Sequence, residues 1–246
     1  MISQLLSIIP RFPNHRVLVV GDVMLDEYVW GEVHRVSSEA PVPIVNVNGH
    51  TYRAGGAANT AANVAALGGN VLLAGIVGQD PQAEHLRACL ADMQINYSGV
   101  ATDAARPTTT KTRIVSQNQQ LLRIDVENVQ ALDKELTTSL LAWIHEHLSA
   151  VDACVLSDYQ KGVVTPEFAQ KFITMARDFG KPIVVDPKGA DFQKYRRATI
   201  ITPNTKEASL ATGRDITEES SLCEAGQKLL GILGDDGAVL ITRGAE

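Results

Sequence analysis

Five short apolar runs in this chain end in the same way, on a charged, amide or hydroxyl side chain. Residues 16–20 lead into Gly21-Asp22, residues 151–156 into Ser157-Asp158, and residues 182–185 into Asp186-Pro187-Lys188-Gly189. Residues 199–202 lead into Pro203-Asn204-Thr205-Lys206-Glu207, and residues 238–242 end at Thr242 before Arg243-Gly244. Short apolar runs bounded by turn residues read as buried strands, and helical patterns between them make a parallel α/β sheet. Open sheets of this kind bind ligands outside the carboxyl ends of their strands. One polar residue at a strand tip is ordinary turn chemistry; its recurrence predicts a ligand site along one edge of the sheet.

A second stretch supports that site. Residues 53–68 read Arg-Ala-Gly-Gly-Ala-Ala-Asn-Thr-Ala-Ala-Asn-Val-Ala-Ala-Leu-Gly. Adjacent glycines let the backbone approach a ligand closely, and the alanine-rich run has high helix propensity, closed by Gly68 and Gly69. A loop of this kind at a helix N-terminus presents N–H groups to hydroxyls or phosphates. Asn59 and Asn63 fall on one helical face. A tight strand-to-helix connection that serves only packing is the competing reading of this segment.

The rest of the chain completes an α/β plan with two β-rich interludes. Residues 71–77 read as a strand and 81–93 as an amphipathic helix with Pro81 in its first turn. Asp133 caps a helix to Leu148 whose Leu136, Leu140, Leu141, Ile144 and Leu148 form one stripe. Thr165-Pro166-Glu167 opens another helix, and Thr217 caps one that runs to about Leu233. Residues 28–36 and 41–47 are β-rich, and Pro41 and Pro43 suit an edge strand. Residues 108–116 and 119–126 form a hairpin around Gln117-Asn118. Alternation puts Lys111 and Arg113 on one face, with Gln119, Arg123 and Asp125 sharing a face of the second strand. Two aligned cations could clamp a phosphate or could be solvated edge-strand charges.

Several chemistries are excluded. A net charge of -6 without a compensating basic stripe argues against nucleic acid. Cys89, Cys154 and Cys223 stand far apart, and His145 and His147 lie on different helical faces without a third partner, so neither group forms a metal site. Leu5, Leu6, Ile8 and Ile9 lack a basic flank, so they are not read as a leader. No segment approaches a membrane span, and a cytoplasmic location is expected. The dinucleotide fingerprint, the Walker-A spacing and the nucleophile elbow are all missing. Basic residues, carboxylates and glycine-lined donors remain, and that set suits phosphoryl transfer to a polar acceptor.

The segments Gly55-Gly-Ala-Ala-Asn59 and Asn204-x-x-Glu207 resemble signatures of the ribokinase family of carbohydrate kinases. Further stretches resemble heptose 7-phosphate kinase domains: Val20-Gly-Asp-Val-Met-Leu-Asp26, Glu39-Ala-Pro-Val-Pro43, Asn118-Gln-Gln-Leu-Leu-Arg-Ile-Asp125, Leu156-Ser-Asp-Tyr159 and Asp186-Pro-Lys-Gly189. The resemblance covers nearly the whole chain. It implies an α/β, ribokinase-like fold, with a mostly parallel central sheet, flanking helices and a small β lid near residues 27–54 and 108–126, forming one kinase domain over 1–246. It implies ATP-dependent phosphorylation of D-glycero-β-D-manno-heptose 7-phosphate at the anomeric hydroxyl, for ADP-heptose and lipopolysaccharide core synthesis. By the same resemblance Asp26, Gly55, Gly56 and Asn59 hold sugar hydroxyls. Lys111, Arg113 and Arg123 are the candidates for the sugar phosphate, Asp158 and Lys161 line the sugar side, and Asp186 with Lys188 lines the phosphate side. Asn204, Thr205, Lys206 and Glu207 match the magnesium and phosphate motif, with Glu207 acting on Mg2+ through water, and Thr242 and Gly244 begin the nucleotide loop.

The family's general base is an aspartate in a Gly-Ala-Gly-Asp motif, which does not occur here; it is expected beyond Glu246. The final βα units are therefore expected to be missing, and weak or absent turnover is expected of this chain alone. The alternatives are another ribokinase-family sugar or nucleoside kinase, or a non-catalytic sugar-phosphate-binding fragment. The resemblance also allows a homodimer through the lid strands.

Overall fold

A computed structural model describes residues 7–234 and 236–244; the N-terminal leucines Leu5 and Leu6, and Glu246, lie outside the described residues. The central sheet is built from β1 (Arg16–Gly21), β4 (Asn70–Val77), β5 (Asn96–Thr102), β8 (Ala153–Ser157), β9 (Ile183–Asp186), β10 (Ile200–Ile201) and β11 (Ala238–Val239). These seven strands stand in the order β11-β10-β9-β8-β1-β4-β5, and each neighbouring pair is parallel. The fold class is thus α/β with a parallel central sheet.

Successive residues of β1 explain why its sequence is continuously apolar. Leu18 and Val20 pack into one core layer with Phe168, Phe172 and Ile144, while Val19 packs into the other with Leu73, Ala61 and Leu86. Both faces of the strand are dry, so it carries no polar alternation. Helices α1 (Ala57–Ala66) and α2 (Pro81–Asp92) cover one face. On the other lie α3 (Lys134–His147), α4 (Pro166–Asp178) and α6 (Glu219–Leu233). A short α5 (Thr205–Thr212) follows β10. No helix among the described residues is long and apolar enough to cross a membrane.

Local chemistry sets most helix starts. The Asp80 carboxylate accepts from Ala83 N–H, Asp133 from Leu136 N–H, and the Thr165 hydroxyl from Phe168 N–H. Thr217 does not cap α6; Glu218 holds that position in a reciprocal box with Ser221. Strand β5 was not foreseen. Its sequence, Asn-Tyr-Ser-Gly-Val-Ala-Thr, has few apolar residues because it is an edge strand paired only with β4.

The second sheet has four strands in the order β3-β2-β6-β7: β2 (Val23–Val36), β3 (Pro43–Gly56), β6 (Thr110–Ser116) and β7 (Gln119–Val126). The segments expected to form a lid lie here. Gln117 and Asn118 have φ of 49° and 65°, the two positive angles a two-residue hairpin turn requires. One revision concerns the paired glycines. Gly55 and Gly56 do not form a loop; they are the last residues of β3, paired with Met24 and Val23.

The two sheets meet at the end of β1, and one buried side chain fixes the junction. Asp22 is 1% exposed. Its carboxylate accepts N–H bonds from Tyr159 (2.8 Å), Lys161 (3.1 Å) and Val163 (3.1 Å), and its main-chain oxygen accepts from Ala57 N–H (3.0 Å). Burial outweighs these donors and holds the carboxyl above its ordinary pKa. Replacement of Asp22 by Ala leaves three N–H groups without their acceptor. Each such loss costs about 1–3 kcal/mol, so Asp22→Ala is expected to lower the stability measured by urea unfolding by about 3 kcal/mol or more. A loss under about 1 kcal/mol would mean that the loop does not depend on this carboxylate.

Candidate active site

The chain leaves β1 for β4 on one side and returns to β8 on the other, so the strand order reverses beside β1. That switch point is where an open parallel sheet forms its ligand crevice. The lid sheet rises from the same place, because β2 begins immediately after Asp22. The switch point is therefore bordered by the lid strands on one side and by the strand tips on the other.

On the lid wall, antiparallel pairing puts Asp26 of β2 opposite Arg53 of β3, and parallel pairing puts it beside Lys111 of β6. Gly55 leaves room next to the carboxylate: a Cβ there would stand 2.9 Å from Asp26 Oδ2. Gly56 has φ of 56°, and a Cβ on it would stand 2.4 Å from the Asp22 carbonyl oxygen. A side chain at either position would displace the junction or fill the space over Asp26. Asn59 is exposed in the first turn of α1, adjoining these glycines.

The three expected phosphate cations do share this face, but each is already matched by a carboxylate. Arg113 donates to Asp26 at 2.6 Å, Lys111 to Asp125 at 3.0 Å, and Arg123 to both Asp125 oxygens at 2.8 and 3.0 Å. The alternative of solvated edge-strand charges is corrected: all three cations are engaged in ion pairs. Lys111 stands directly opposite Asp125 across β6 and β7, whereas Arg113 stands opposite Arg123; Arg113 is matched by Asp26 of β2 and Arg123 by Asp125 of its own strand. Lys161 is likewise paired, with Glu127 at 2.8 Å.

On the strand-tip wall, Asp158 does not line the sugar side as expected. Its side chain is fully buried and is held by Lys194 at 2.5 Å, Tyr195 at 2.7 Å and Gln160 N–H at 2.7 Å. The Tyr195 hydroxyl also accepts from Lys188 N–H at 3.0 Å. Asp158 thus supports the Asp186–Gly189 turn from beneath and does not face a ligand. Asp186 itself is half-buried and makes no side-chain hydrogen bond with a described residue. Burial, then the charge of Glu207, raises its pKa to about 6.

Asn204 and Glu207 form a capping box on α5: Asn204 accepts from Glu207 N–H at 2.9 Å, and Glu207 accepts from Asn204 N–H at 3.0 Å. The other Glu207 oxygen accepts from Lys188 Nζ at 2.7 Å. Thr205 donates its N–H to the Thr242 carbonyl at 3.2 Å, and Thr242 bridges Asn204 in parallel register. Gly244 follows in an exposed turn with φ of 74°. Outside α5 lies an open depression of about 620 Å³, whose walls include Thr205, Lys206, Ser209, Arg214 and Thr217.

Two groups on these walls escaped sequence reasoning. Burial, then the charges of Asp186, Asp26, Glu207 and Asp22, raise the Tyr159 hydroxyl's pKa. The phenol thus feels the charge of carboxylates on both walls. Its place directly after a strand-tip aspartate was the available signal. Lys194 and Tyr195 belong to a single helical turn between β9 and β10, and no local pattern marks them.

An α/β fold with a parallel central sheet is also what the comparisons find. The family model described as pfkB family carbohydrate kinase matches residues 14–246. The chain belongs to that family. Among solved structures, Arabidopsis thaliana ribokinase complexed with ribose and ATP superposes with a TM-score of 0.69 at 19% identity, covering 94% of this pfkB-family chain and 72% of that one. Escherichia coli phosphofructokinase-2 in complex with substrates and products gives 0.70 at 20% identity, covering 94% and 73%. These likenesses show the shared fold. Curated relatives include the bifunctional protein HldE of Wolinella succinogenes, 46% identical over 209 residues, 85% of this chain and 44% of that protein. HldE of Shewanella amazonensis is 46% identical over 235 residues, 96% of this chain and 48% of that protein. The pfkB-family chain thus spans about half the length of the curated relatives it matches.

The Asp186 shift carries a signed prediction. Its folded-state pKa of about 6 lies above the ordinary 3.8, so its contribution to stability is complete below pH 3.8 and is lost as pH rises through about 6. At neutral pH the ionised side chain opposes folding. Asp186→Asn is expected to match the parent in stability at low pH and to exceed it at pH 7. After solvent screening the gain is about 1–2 kcal/mol. Melting temperatures across this range check it; a variant that is less stable at pH 7 would contradict the assignment.

Proposed function

We propose that the chain is the kinase part of a heptose 7-phosphate kinase, transferring the γ-phosphoryl group of ATP to the anomeric hydroxyl to give the 1,7-bisphosphate. The observation that carries this reading is the opposition of two walls. Asp26 and the bare Gly55 backbone stand on the lid, and Asp186, Lys188 and the Asn204–Glu207 box stand on the strand tips. Family membership and the HldE relatives support it, as do the Asn118-Gln-Gln and Asp186-Pro-Lys-Gly sequences.

In this reading Asp26 accepts hydrogen bonds from two sugar hydroxyls while its ion pair with Arg113 keeps it charged and oriented. The Gly55 and Gly56 backbone lets the sugar ring approach, and Asn59 supplies an amide at its edge. Tyr159 offers a neutral hydroxyl between acceptor and donor, where a charged group would be repelled by the carboxylates. Thr205, Lys206, Thr242 and Gly244 border the nucleotide. Lys188 faces the transferring phosphate, where its charge is largely balanced by Glu207 until phosphate arrives. Charge neutralisation and alignment account for most of catalysis in phosphoryl transfer.

The donor set also fits Mg2+, which takes hard oxygens and often keeps several waters. Asp186 makes no side-chain hydrogen bond or ion-pair contact with a described residue, and Glu207 has both oxygens engaged, which leaves it to act through water. Bound there, Mg2+ would neutralise phosphate charge. The proposal assigns the general base to no residue of this chain. The exposed Leu122, Ile124 and Val126 lie on the far face of the lid from Arg123 and Asp125 and would be covered in a lid-to-lid homodimer.

A thermal-shift panel tests the substrate, since a ligand that binds the folded state stabilises it by about 2.7 kcal/mol at a hundred times its Kd. With Mg-ATP present, heptose 7-phosphate is expected to raise Tm by several degrees more than fructose 6-phosphate, ribose or adenosine. A larger shift with any of the other three would replace this substrate.

A further inference from the structure

The lid wall holds a cation that the preceding account leaves unused. Arg53 stands directly opposite Asp26 in the β2–β3 pairing, so the two side chains share a face with their Cβ atoms about 5 Å apart. Unlike Lys111, Arg113, Arg123 and Lys161, it forms no ion pair or side-chain hydrogen bond with a described residue. It is exposed, and its guanidinium lies over the Tyr28 ring at 5.3 Å. The Arg113 guanidinium lies over the same ring, also at 5.3 Å. Two guanidinium groups thus share one aromatic platform, and the carboxylate between them, Asp26, neutralises only Arg113.

The direction of the strand fixes which end of an acceptor Arg53 would meet. Gly56 abuts the switch point through its pairing with Val23, and α1 starts directly after it. Gly55 lies one residue outward along β3, and Arg53 two residues beyond that. At about 3.4 Å per residue, Arg53 is about 7 Å farther from the strand tips than Gly55. A sugar whose reacting hydroxyl points at the strand tips, with its ring over Gly55 and Asp26, extends its other end to Arg53. A phosphate on that end meets a planar fork of donors that is already oriented by stacking and has no internal carboxylate to leave.

We propose that Arg53 is the specificity-determining residue for a phosphorylated acceptor, binding the phosphomonoester at the end of the sugar remote from the reacting hydroxyl. Tyr28 holds its guanidinium in place, and Arg113 serves as the neighbouring positive charge. The proposal rests on the phosphosugar reading given above, and the test separates the two. Because Arg53 is exposed and makes only the ring contact, its removal leaves the lid pairing intact.

Isothermal titration of the 246-residue chain with D-glycero-D-manno-heptose 7-phosphate and with the unphosphorylated heptose is the experiment. The parent is expected to prefer the phosphorylated sugar by at least about tenfold, the size of one or two charge-assisted bonds. Arg53→Ala should abolish most of that preference while binding of unphosphorylated heptose stays within about twofold, which also certifies the fold of the variant. Arg53→Lys, which keeps charge but loses the fork and the stacking, should recover only part. Undiminished preference in Arg53→Ala would overturn the role of Arg53 and leave the phosphosugar reading standing. A parent without preference for the phosphorylated sugar would overturn both.

Discussion

The geometry of this molecule depends on one buried carboxylate. Asp22 gathers the N–H groups of Tyr159, Lys161 and Val163 on its side chain and that of Ala57 on its carbonyl. Those four donors belong to the loop after β8 and to the start of α1. A single residue at the tip of β1 therefore fixes the angle of the lid, the approach of the paired glycines and the placement of Tyr159. Its burial in a low-dielectric junction is unfavourable for charge, and the donors offset that penalty only in part. Such a residue cannot also bind substrate. The proposed reading gives that task to Asp26, four positions on, which lies beyond the junction on the lid strand β2.

The same logic of charge separates the two walls. On the lid Lys111 and Arg113 are matched by carboxylates of neighbouring strands and Arg123 by one of its own strand, which leaves Arg53 as the one guanidinium of the Tyr28 cluster without an acidic partner among the described residues. On the strand tips the carboxylates outnumber their partners: Glu207 has Lys188, and Asp158 has Lys194 and Tyr195, whereas Asp186 has no such contact. In the proposed reading the acceptor phosphate meets the first wall and the metal-bound triphosphate of the nucleotide the second. Burial and the charge of Glu207 leave the Asp186 carboxylate unfavourable in its ionised form.

Most of the fold was legible in the sequence because buried parallel strands are continuously apolar and their polar tips punctuate them. Helix starts at Asp133 and Thr165 were legible because capping is local chemistry, and the Gln117-Asn118 hairpin because its turn needs positive φ at both positions. β5 was not, since an edge strand carries a weak apolar pattern. Site residues divided along the same line. Asp26, Gly55, Asp186 and the Asn204–Glu207 box were singled out as candidates at strand ends and by the family resemblance, both of which are read along the sequence. The burial of Asp158 was not, because its partners Lys194 and Tyr195 are more than thirty positions away in sequence. The pairing of Arg113 with Asp26 was hidden for the same reason, because β6 meets β2 only in the fold, whereas alternation already put Arg123 and Asp125 on one face.

The central claim is that a phosphosugar occupies the crevice between the lid face and the strand tips, with the nucleotide on the α5 side. Hydrogen–deuterium exchange of the chain with heptose 7-phosphate alone, then with a non-hydrolysable ATP analogue and Mg2+, addresses it directly. The account predicts that the sugar phosphate protects backbone amides in residues 24–29, 52–57 and 110–114. It also predicts that the nucleotide adds protection in residues 186–189 and 203–209. Protection by the sugar phosphate confined to residues 203–217, with the lid strands unchanged, would contradict it.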